Sequence, residues 1–289
     1  MDTGSTEQAA PERPPRIGIV GAGTMGEIII RGLIARGVVR ACDTLASAPR
    51  AERREALTAA YPGLRVVESN AEAVAGADVV VLTVKPQTLP SVLADIREAL
   101  TSDQLVLSIV TGATVKALES GAYHPAIVRA MTNTLCQVGE GMTVWVASRA
   151  VTERQLGYTR RIFGALGREI EVHNENYLDM ATSINGSGPA YIFLVMEALT
   201  DAGVQIGLPR YMAEELVTQT MLGAARLAIE TKQHPAALKN AVTSPGGTTA
   251  AALYNLEKGG LRSTMAEAVV AAYQRALALG RAEDRPDRP

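Results

Sequence analysis

Aromatic residues are scarce in this 289-residue chain: one Trp, two Phe and eight Tyr, 4% in all, so Ala, Leu, Val and Met must fill its cores. Two cysteines, Cys42 and Cys136, are too few and too far apart for a disulfide framework or a metal-ligand cluster, and they suit a reducing cytoplasm. The three histidines, His124, His173 and His234, have no metal-ligand partner at helical spacing and are read as turn or surface residues. Charge of either sign is also lacking in excess. A net charge of -2 and a pI near 6.0, with arginines spread along the chain, give no case for nucleic acid or an acidic membrane surface. The segment MDTGSTEQAAPERPPR is polar and proline-rich where a secretory signal needs an apolar core, and the longest apolar stretches are interrupted by Asp78 or Glu197. Small molecules are therefore the expected partners, with solvated ends at residues 1–15 and 281–289.

What is present begins with Arg16 to Val20, a short apolar run, then Gly21-Ala22-Gly23-Thr24-Met25-Gly26, then a helical pattern through Ala35. Strand, glycine turn and helix in that order have a mechanism. The first glycine permits the turn, the second lets a pyrophosphate lie on the backbone, and the third lets helix and strand pack closely. The second strand is placed at Thr44 to Ser47. A fold selecting NAD carries an acid about 20 residues past the glycines to hold the ribose hydroxyls. Here Ser47-Ala48-Pro49-Arg50 ends the strand, with Arg53 and Arg54 behind it. A hydroxyl and a guanidinium suit a 2'-phosphate, so NADPH is favoured and NADH remains possible. Asp43 is the alternative acid if the strand lies earlier, and all three arginines could instead be the exposed face of the next helix.

Alternation continues with a short helix at Asn70 to Ala75 and strands at Ala77 to Val84, Leu105 to Val110, Ile127 to Met131 and Val144 to Ala147. A helix at about Thr152 to Leu166 leads to a last strand near Glu169 to Val172. In such a sheet the ligand lies at the strands' carboxyl ends, so Val84 and Lys85 should border the cofactor. From residue 175 on the pattern is helical only, broken at Asn185-Gly186-Ser187-Gly188-Pro189 and restarted at Pro209. Alanine-rich stretches such as Met221 to Ile229 exceed what one small bundle buries internally, so helices of two subunits are expected to interleave. Glu214-Glu215 reads as a solvated face, and Lys232 as a cation at a helix C-terminus. The expected fold class is α/β: a Rossmann-type dinucleotide-binding domain over 16–174, followed by an all-α dimerisation domain over 175–280.

The other chemistry-bearing stretch is Thr243-Ser244-Pro245-Gly246-Gly247-Thr248-Thr249, a two-glycine turn ahead of an apolar helical run. A helix N-terminus with bare backbone before it can hold a carboxylate without Lys or Arg. Thr248 and Thr249 can cap that helix or donate to a ligand.

The Val242-to-Thr249 signature with Leu256-Glu257-Lys258-Gly259-Gly260 resembles the pyrroline-5-carboxylate reductase family. The likeness takes in Gly21 to Gly26, Val84 to Gln87, Val138 to Met142, Gly186 to Tyr191 and Gly207 to Arg210, spanning about residues 16–280. It implies reduction of 1-pyrroline-5-carboxylate to L-proline by NAD(P)H, the last step of proline biosynthesis, in interleaved dimers assembled into a larger ring such as a decamer. By the same resemblance Ser244, Gly246, Gly247, Thr248 and Thr249 hold the substrate, Thr249 is the catalytic hydroxyl on the ring nitrogen, and Glu175 bears on the substrate's charge. Gly21, Ala22, Gly23, Thr24, Met25, Gly26, Ser47, Arg50, Asn70, Val84, Lys85, Pro86, Val110 and Thr111 make up the expected cofactor set. The chain departs from the family pattern at Thr132 and Leu135, where prolines are usual, at Asn185, where serine is, and at Val110-Thr111 in place of two alanines. The rival readings are a related two-domain NADP-dependent imine or hydroxy-acid reductase and a redox-inactive NADP-binding regulator. The former relies on a helix-borne lysine that the segment after Gly186 lacks.

Overall fold

The computed structural model describes residues 13–283. Two compact units emerge, one running through Gly186 and rejoined by the chain from Arg275, the other Ser187–Gln274.

The first unit is built on an eight-stranded sheet in the order β3-β2-β1-β4-β5-β6-β7-β8. Its strands are β1 (Ile17–Val20), β2 (Thr44–Ser47), β3 (Arg65–Val67), β4 (Val79–Leu82), β5 (Leu105–Ser108), β6 (Ile127–Met131), β7 (Gly141–Ala147) and β8 (Gly167–Glu171). Strands β1 to β6 are mutually parallel, β7 runs antiparallel to β6, and β8 is parallel to β7. Every residue of β1, β4 and β5 is buried, the continuous apolar pattern of a parallel sheet covered on both faces. Successive residues point to opposite sides. Ile17, Ile19, Val79, Val81, Leu105 and Leu107 pack with α1 (Thr24–Ala35), α2 (Ala51–Ala60) and α6 (Glu153–Leu166). Val20, Val80, Leu82 and Val106 pack with α3 (Asn70–Val74), α4 (Leu89–Ile96) and α5 (Val115–Ala122). Leu33, Ile96 and Leu107 are wholly enclosed, each contributing about 1.5–3 kcal/mol of apolar burial. The one tryptophan, Trp145, is also enclosed and donates its indole N–H to Glu169 at 2.6 Å.

Three local differences from the sequence reading have clear causes. Strand β3 was not expected; it is three residues long and only half-buried, too short to show a period. His124, read as a turn or surface residue, is 4% exposed, and its Nε2 lies 2.8 Å from the Gln104 carbonyl. The helical pattern from residue 175 is α7 (Asn176–Ala181) continued without a break by a π-helical turn, Thr182–Gly186. The Thr182 and Ser183 hydroxyls donate to the Leu178 and Met180 carbonyls, giving the wider turn polar partners that a regular helix does not need. Leu178, on α7, is buried with Val144 and Val146 of β7, which keeps this segment within the first unit.

The second unit holds α8 (Gly188–Gln205), α9 (Arg210–Thr231), α10 (Pro235–Ala241) and α11 (Thr248–Lys258); α12 (Leu261–Glu283) begins there. Helices α8 and α9 pack through Gly203, where an added Cβ would stand 3.1 Å from Ala213. Lys232 closes α9 in the left-handed region, φ 53°, and His234 caps α10 with Nδ1 accepting from the Ala236 N–H. Apolar side chains remain uncovered along this unit, among them Phe193, Leu194, Leu216, Leu227, Ile229 and Tyr254.

Candidate functional site

The glycine loop between β1 and α1 has the geometry that its three expected tasks require. Gly21 has φ +89°, and a Cβ there would overlap Val84 Cγ1, so the turn admits only glycine. At Gly26 a Cβ would meet Thr83 Oγ1 at 2.9 Å and the Gly21 carbonyl at 3.0 Å, which fixes how closely α1 approaches the sheet. Gly23 is exposed, and a Cβ added there would meet nothing nearer than the Gly21 carbonyl at 3.9 Å, so a pyrophosphate can approach this side of its backbone. The residues present therefore fit a dinucleotide.

A cleft of about 230 Å³ gathers Gly21, Ala22, Gly23, Arg50, Val84 and Lys85 of the expected cofactor set, and adds Ala48, Pro49, Arg53, Thr83 and Thr88. Ser47 ends β2 beside it. Its Oγ accepts from the Gly21 N–H at 3.1 Å and donates to Asn70 Oδ1 at 2.8 Å, while Asn70 Nδ2 donates to Asp95 at 3.2 Å. Thr24 and Met25 occupy the first turn of α1, and Pro86 opens a 3-10 turn after Lys85. Val110 is buried and Thr111 half-buried, both just past the end of β5.

The three arginines divide by task. Arg53 donates to the Ala22 and Gly23 carbonyls and to Glu27, bracing the glycine loop from behind. Arg54 donates to the Ala48 and Pro49 carbonyls and to Glu68. Of the three, Arg50 alone stands in the cleft with no hydrogen-bond or ion-pair partner among the described residues. Asp43 is not the missing acid: it lies before β2, at the end away from the glycines, and pairs with Arg40 at 2.6 Å. That guanidinium holds the Asp43 carboxyl below its ordinary range.

In the second unit, Ser244, Gly246, Gly247, Thr248 and Thr249 come together at the N-terminus of α11. Gly246 has φ +69°, and the Gly247 N–H donates to the Ser244 carbonyl at 3.1 Å, forming a tight turn. Gly247 is the N-cap and has no side chain to cap with, so neither threonine caps the helix, as the sequence allowed. Among the described residues, the N–H groups and hydroxyls of Thr248 and Thr249 have no protein partner. Polar groups left open at the positive end of a helix can receive an anion.

Glu175 lies in the first unit, next to α7, where Oε1 accepts from the Val115 N–H at 2.8 Å and from Arg129 at 2.7 Å. Arg129, 4% exposed, also pairs with Asp179 at 2.8 Å. This clasp was not foreseen, although a guanidinium inside the apolar run Ile127–Met131 is a readable signal, since a buried charge demands a partner. Where prolines were noted as missing, other contacts stand. The Leu135 N–H, which a proline would lack, donates to Asn133 Oδ1 at 3.1 Å. Thr132 Oγ1 accepts from Thr143 and lies 3.0 Å from Cys136 Sγ. Burial pushes the Cys136 thiol pKa up.

A mostly parallel sheet with a glycine cradle at its switch point, unpaired cations in its cleft, and a helical second unit fit the class of two-domain nicotinamide-dinucleotide oxidoreductases. The comparisons narrow it. The family model for pyrroline-5-carboxylate reductase dimerisation matches residues 175–279, and that for coenzyme F420-dependent NADP oxidoreductase matches residues 16–112. A pyrroline-5-carboxylate reductase of Synechocystis is 44% identical over 92% of this chain and 98% of its own. Two solved structures align closely. The Coxiella burnetii pyrroline-5-carboxylate reductase is 38% identical with a TM-score of 0.85, and the Plasmodium falciparum pyrroline carboxylate reductase with NADP bound is 34% identical with a TM-score of 0.83. Each alignment covers 92% of this chain and 98% of the other. The chain belongs to the pyrroline-5-carboxylate reductase family.

Proposed function

We propose that this protein reduces 1-pyrroline-5-carboxylate to L-proline with NADPH, completing proline biosynthesis, with NADH as a weaker alternative. The observation that carries the reading is the open N-terminus of α11, where backbone N–H groups and two threonine hydroxyls await an anion. The substrate is a cyclic imine bearing one carboxylate, which fits a seat free of metal ligands and of Lys or Arg. When bound, the reduced nicotinamide supplies the hydride for the imine carbon.

The chain's own residues bind and orient. Gly246, Gly247 and Thr248 take the substrate carboxylate, with Ser244 shaping the turn. Thr249 hydrogen-bonds the ring nitrogen, and because a threonine hydroxyl does not titrate near neutrality it orients and relays a proton without acting as a base. The family resemblance has Glu175 bear on the substrate's charge, and its Oε2 is the oxygen that Arg129 and Val115 leave free. Arg50 takes the 2'-phosphate end of the cofactor; Ser47, buried and with its hydroxyl donated to Asn70, holds the Gly21 N–H in place instead of meeting the phosphate as the sequence suggested. The Gly21-to-Gly26 loop takes the pyrophosphate, and Val84, Lys85, Pro86, Val110 and Thr111 line the cofactor's course along the strand ends. Holding the two reactants in one geometry accounts for most of the acceleration.

The uncovered apolar helices of the second unit support interleaved dimers, assembled into a larger ring such as a decamer. No helix among the described residues is long and apolar enough to cross a membrane, and the proposed compartment is the cytoplasm. The test is the decay of NADPH absorbance with racemic pyrroline-5-carboxylate, beside NADH at equal concentration. Rapid substrate-dependent decay is expected; cofactor binding without oxidation would overturn the reading in favour first of a related imine or hydroxy-acid reductase and then of a regulator.

A further inference from the structure

We infer that Asn185 is a positioning residue for hydride transfer, acting by stitching shut the base of the loop 132–140 at the carboxyl end of β6. The inference rests on the reductase reading. Strand β6 is parallel to β5, so the loop that follows it lies on the same edge of the sheet as the glycine cradle and the ends of β4 and β5. A dinucleotide that places its pyrophosphate on the β1 turn sends its two ends to opposite sides of the switch point. Arg50, just past the end of β2, marks the phosphorylated-ribose side. The nicotinamide half is thereby assigned to β4, β5 and β6.

The loop 132–140 spans β6 and the antiparallel β7, and Asn185 holds both of its ends. Its Oδ1 accepts from Asn133 Nδ2 at 2.6 Å, at the loop's start, and its backbone carbonyl accepts from the same nitrogen at 3.2 Å. Its Nδ2 donates to the Met142 carbonyl at 2.7 Å, just past the loop's end. Both roles of one amide, acceptor and donor, are thus committed to the two edges of a single loop. Asn133 is 7% exposed, and its Oδ1 is taken by the Leu135 N–H, so its amide orientation is fixed from both sides. The π-helical turn presents Asn185 at this position, and π turns recur where a helix must aim a side chain at a site. Neighbouring Gly186 brings its backbone close to the strand end: a Cβ there would lie 3.3 Å from Met131 Cε.

The test compares wild-type protein with Asn185→Ala, Asn133→Ala and the double variant. In the cofactor-free protein, amide hydrogen exchange is expected to accelerate in Asn185→Ala by roughly tenfold across 132–140 and not elsewhere, the consequence of losing the two side-chain hydrogen bonds to Asn133 and Met142. In turnover, kcat is expected to fall by about tenfold, while KM for pyrroline-5-carboxylate and the NADPH dissociation constant move less than about threefold, the signature of lost orientation rather than lost affinity. The primary isotope effect with NADPH deuterated at the transferred position should rise as chemistry becomes limiting. The losses in the double variant should be less than additive, since the two side chains share the Asn133–Asn185 bonds. Wild-type exchange and wild-type kcat in Asn185→Ala would overturn the proposal, as would a general rise in exchange with NADPH binding and kcat lost together. If Asn185→Ala does not fold, Asn133→Ala removes the Asn133–Asn185 bonds from the other side and is read by the same criteria. An inactive wild-type protein would sink the reductase reading instead, and exchange would still decide whether Asn185 holds the loop.

Discussion

Replacing Arg50 by Ala should convert a cofactor preference into near indifference. Arg50 stands at the N-cap of α2, and its side chain accepts no capping role, so truncation removes no helix contact. Nor does it break an internal bond, since the carbonyls of the loop are held by Arg53 and Arg54. What is lost is a charge-assisted bond to the 2'-phosphate, for which about 1.5–3 kcal/mol is typical. Arg50 is exposed, so solvent screening favours the lower end, about 1.5–2 kcal/mol or roughly a 10- to 30-fold fall in kcat/KM for NADPH. NADH, which has no phosphate there, should change by less than about twofold. Initial rates with each cofactor at fixed pyrroline-5-carboxylate give the ratio directly. Arg53→Ala is the control: it unfastens the glycine loop and should weaken both cofactors alike. If Arg50→Ala lowers NADPH and NADH together, Arg50 acts through the fold; if it changes neither, the phosphate lies elsewhere and the argument fails.

Thr249→Ala should lower turnover by one to two orders of magnitude with NADPH binding intact, as expected for one transition-state hydrogen bond of about 1.5–3 kcal/mol; an unaltered rate removes Thr249 from the mechanism. Arg129→Met should cost about 3 kcal/mol in urea unfolding, because Glu175 and Asp179 lose a guanidinium that is 5% exposed, and a cost below about 1 kcal/mol would mean the clasp is replaceable by solvent. Native Cys42, exposed, should react with a thiol reagent at pH 8 while Cys136 does not. Burial raises the Cys136 pKa, so its thiolate is scarcer than that of a free thiol at this pH, and its labelling should grow only as pH rises further or the protein unfolds. Equal labelling of the two at pH 8 would contradict the buried position.

Legibility followed locality. The unit of β1, glycine loop and α1 could be read because its turn, cradle and packing glycine are consecutive, and β2 and β6 were placed at Thr44–Ser47 and Ile127–Met131 because turn residues bound short apolar runs. Cofactor candidates followed from strand ends, and six of them border one cleft. What could not be read depends on partners far along the chain. His124 and Gln104 form one buried polar cluster, with Gln104 Nε2 donating to the Val74 and Ala77 carbonyls, and no spacing in the sequence joins them. Asn185 was seen as part of a glycine-rich interruption and as a departure from the family's serine, whereas its amide reaches residues 43 and 52 positions away.

The helices of the second unit show a limit of another kind. Periodicity reports which side of a helix is apolar, not what that side meets. In a single chain α8 buries only Thr200 and α9 only Ala213, although Phe193, Leu194, Leu216 and Leu227 are the residues a core would want. A helix gains most of its stability from packing, so two long helices left this bare have their folding coupled to association. The excess of apolar surface was visible in the alanine- and leucine-rich composition; the surface that completes it belongs to the dimerisation for which residues 175–279 are matched. A sequence encodes that partner only by leaving it out of the chain's own contacts, and the absence becomes countable only once the fold shows how little of α8 and α9 is covered.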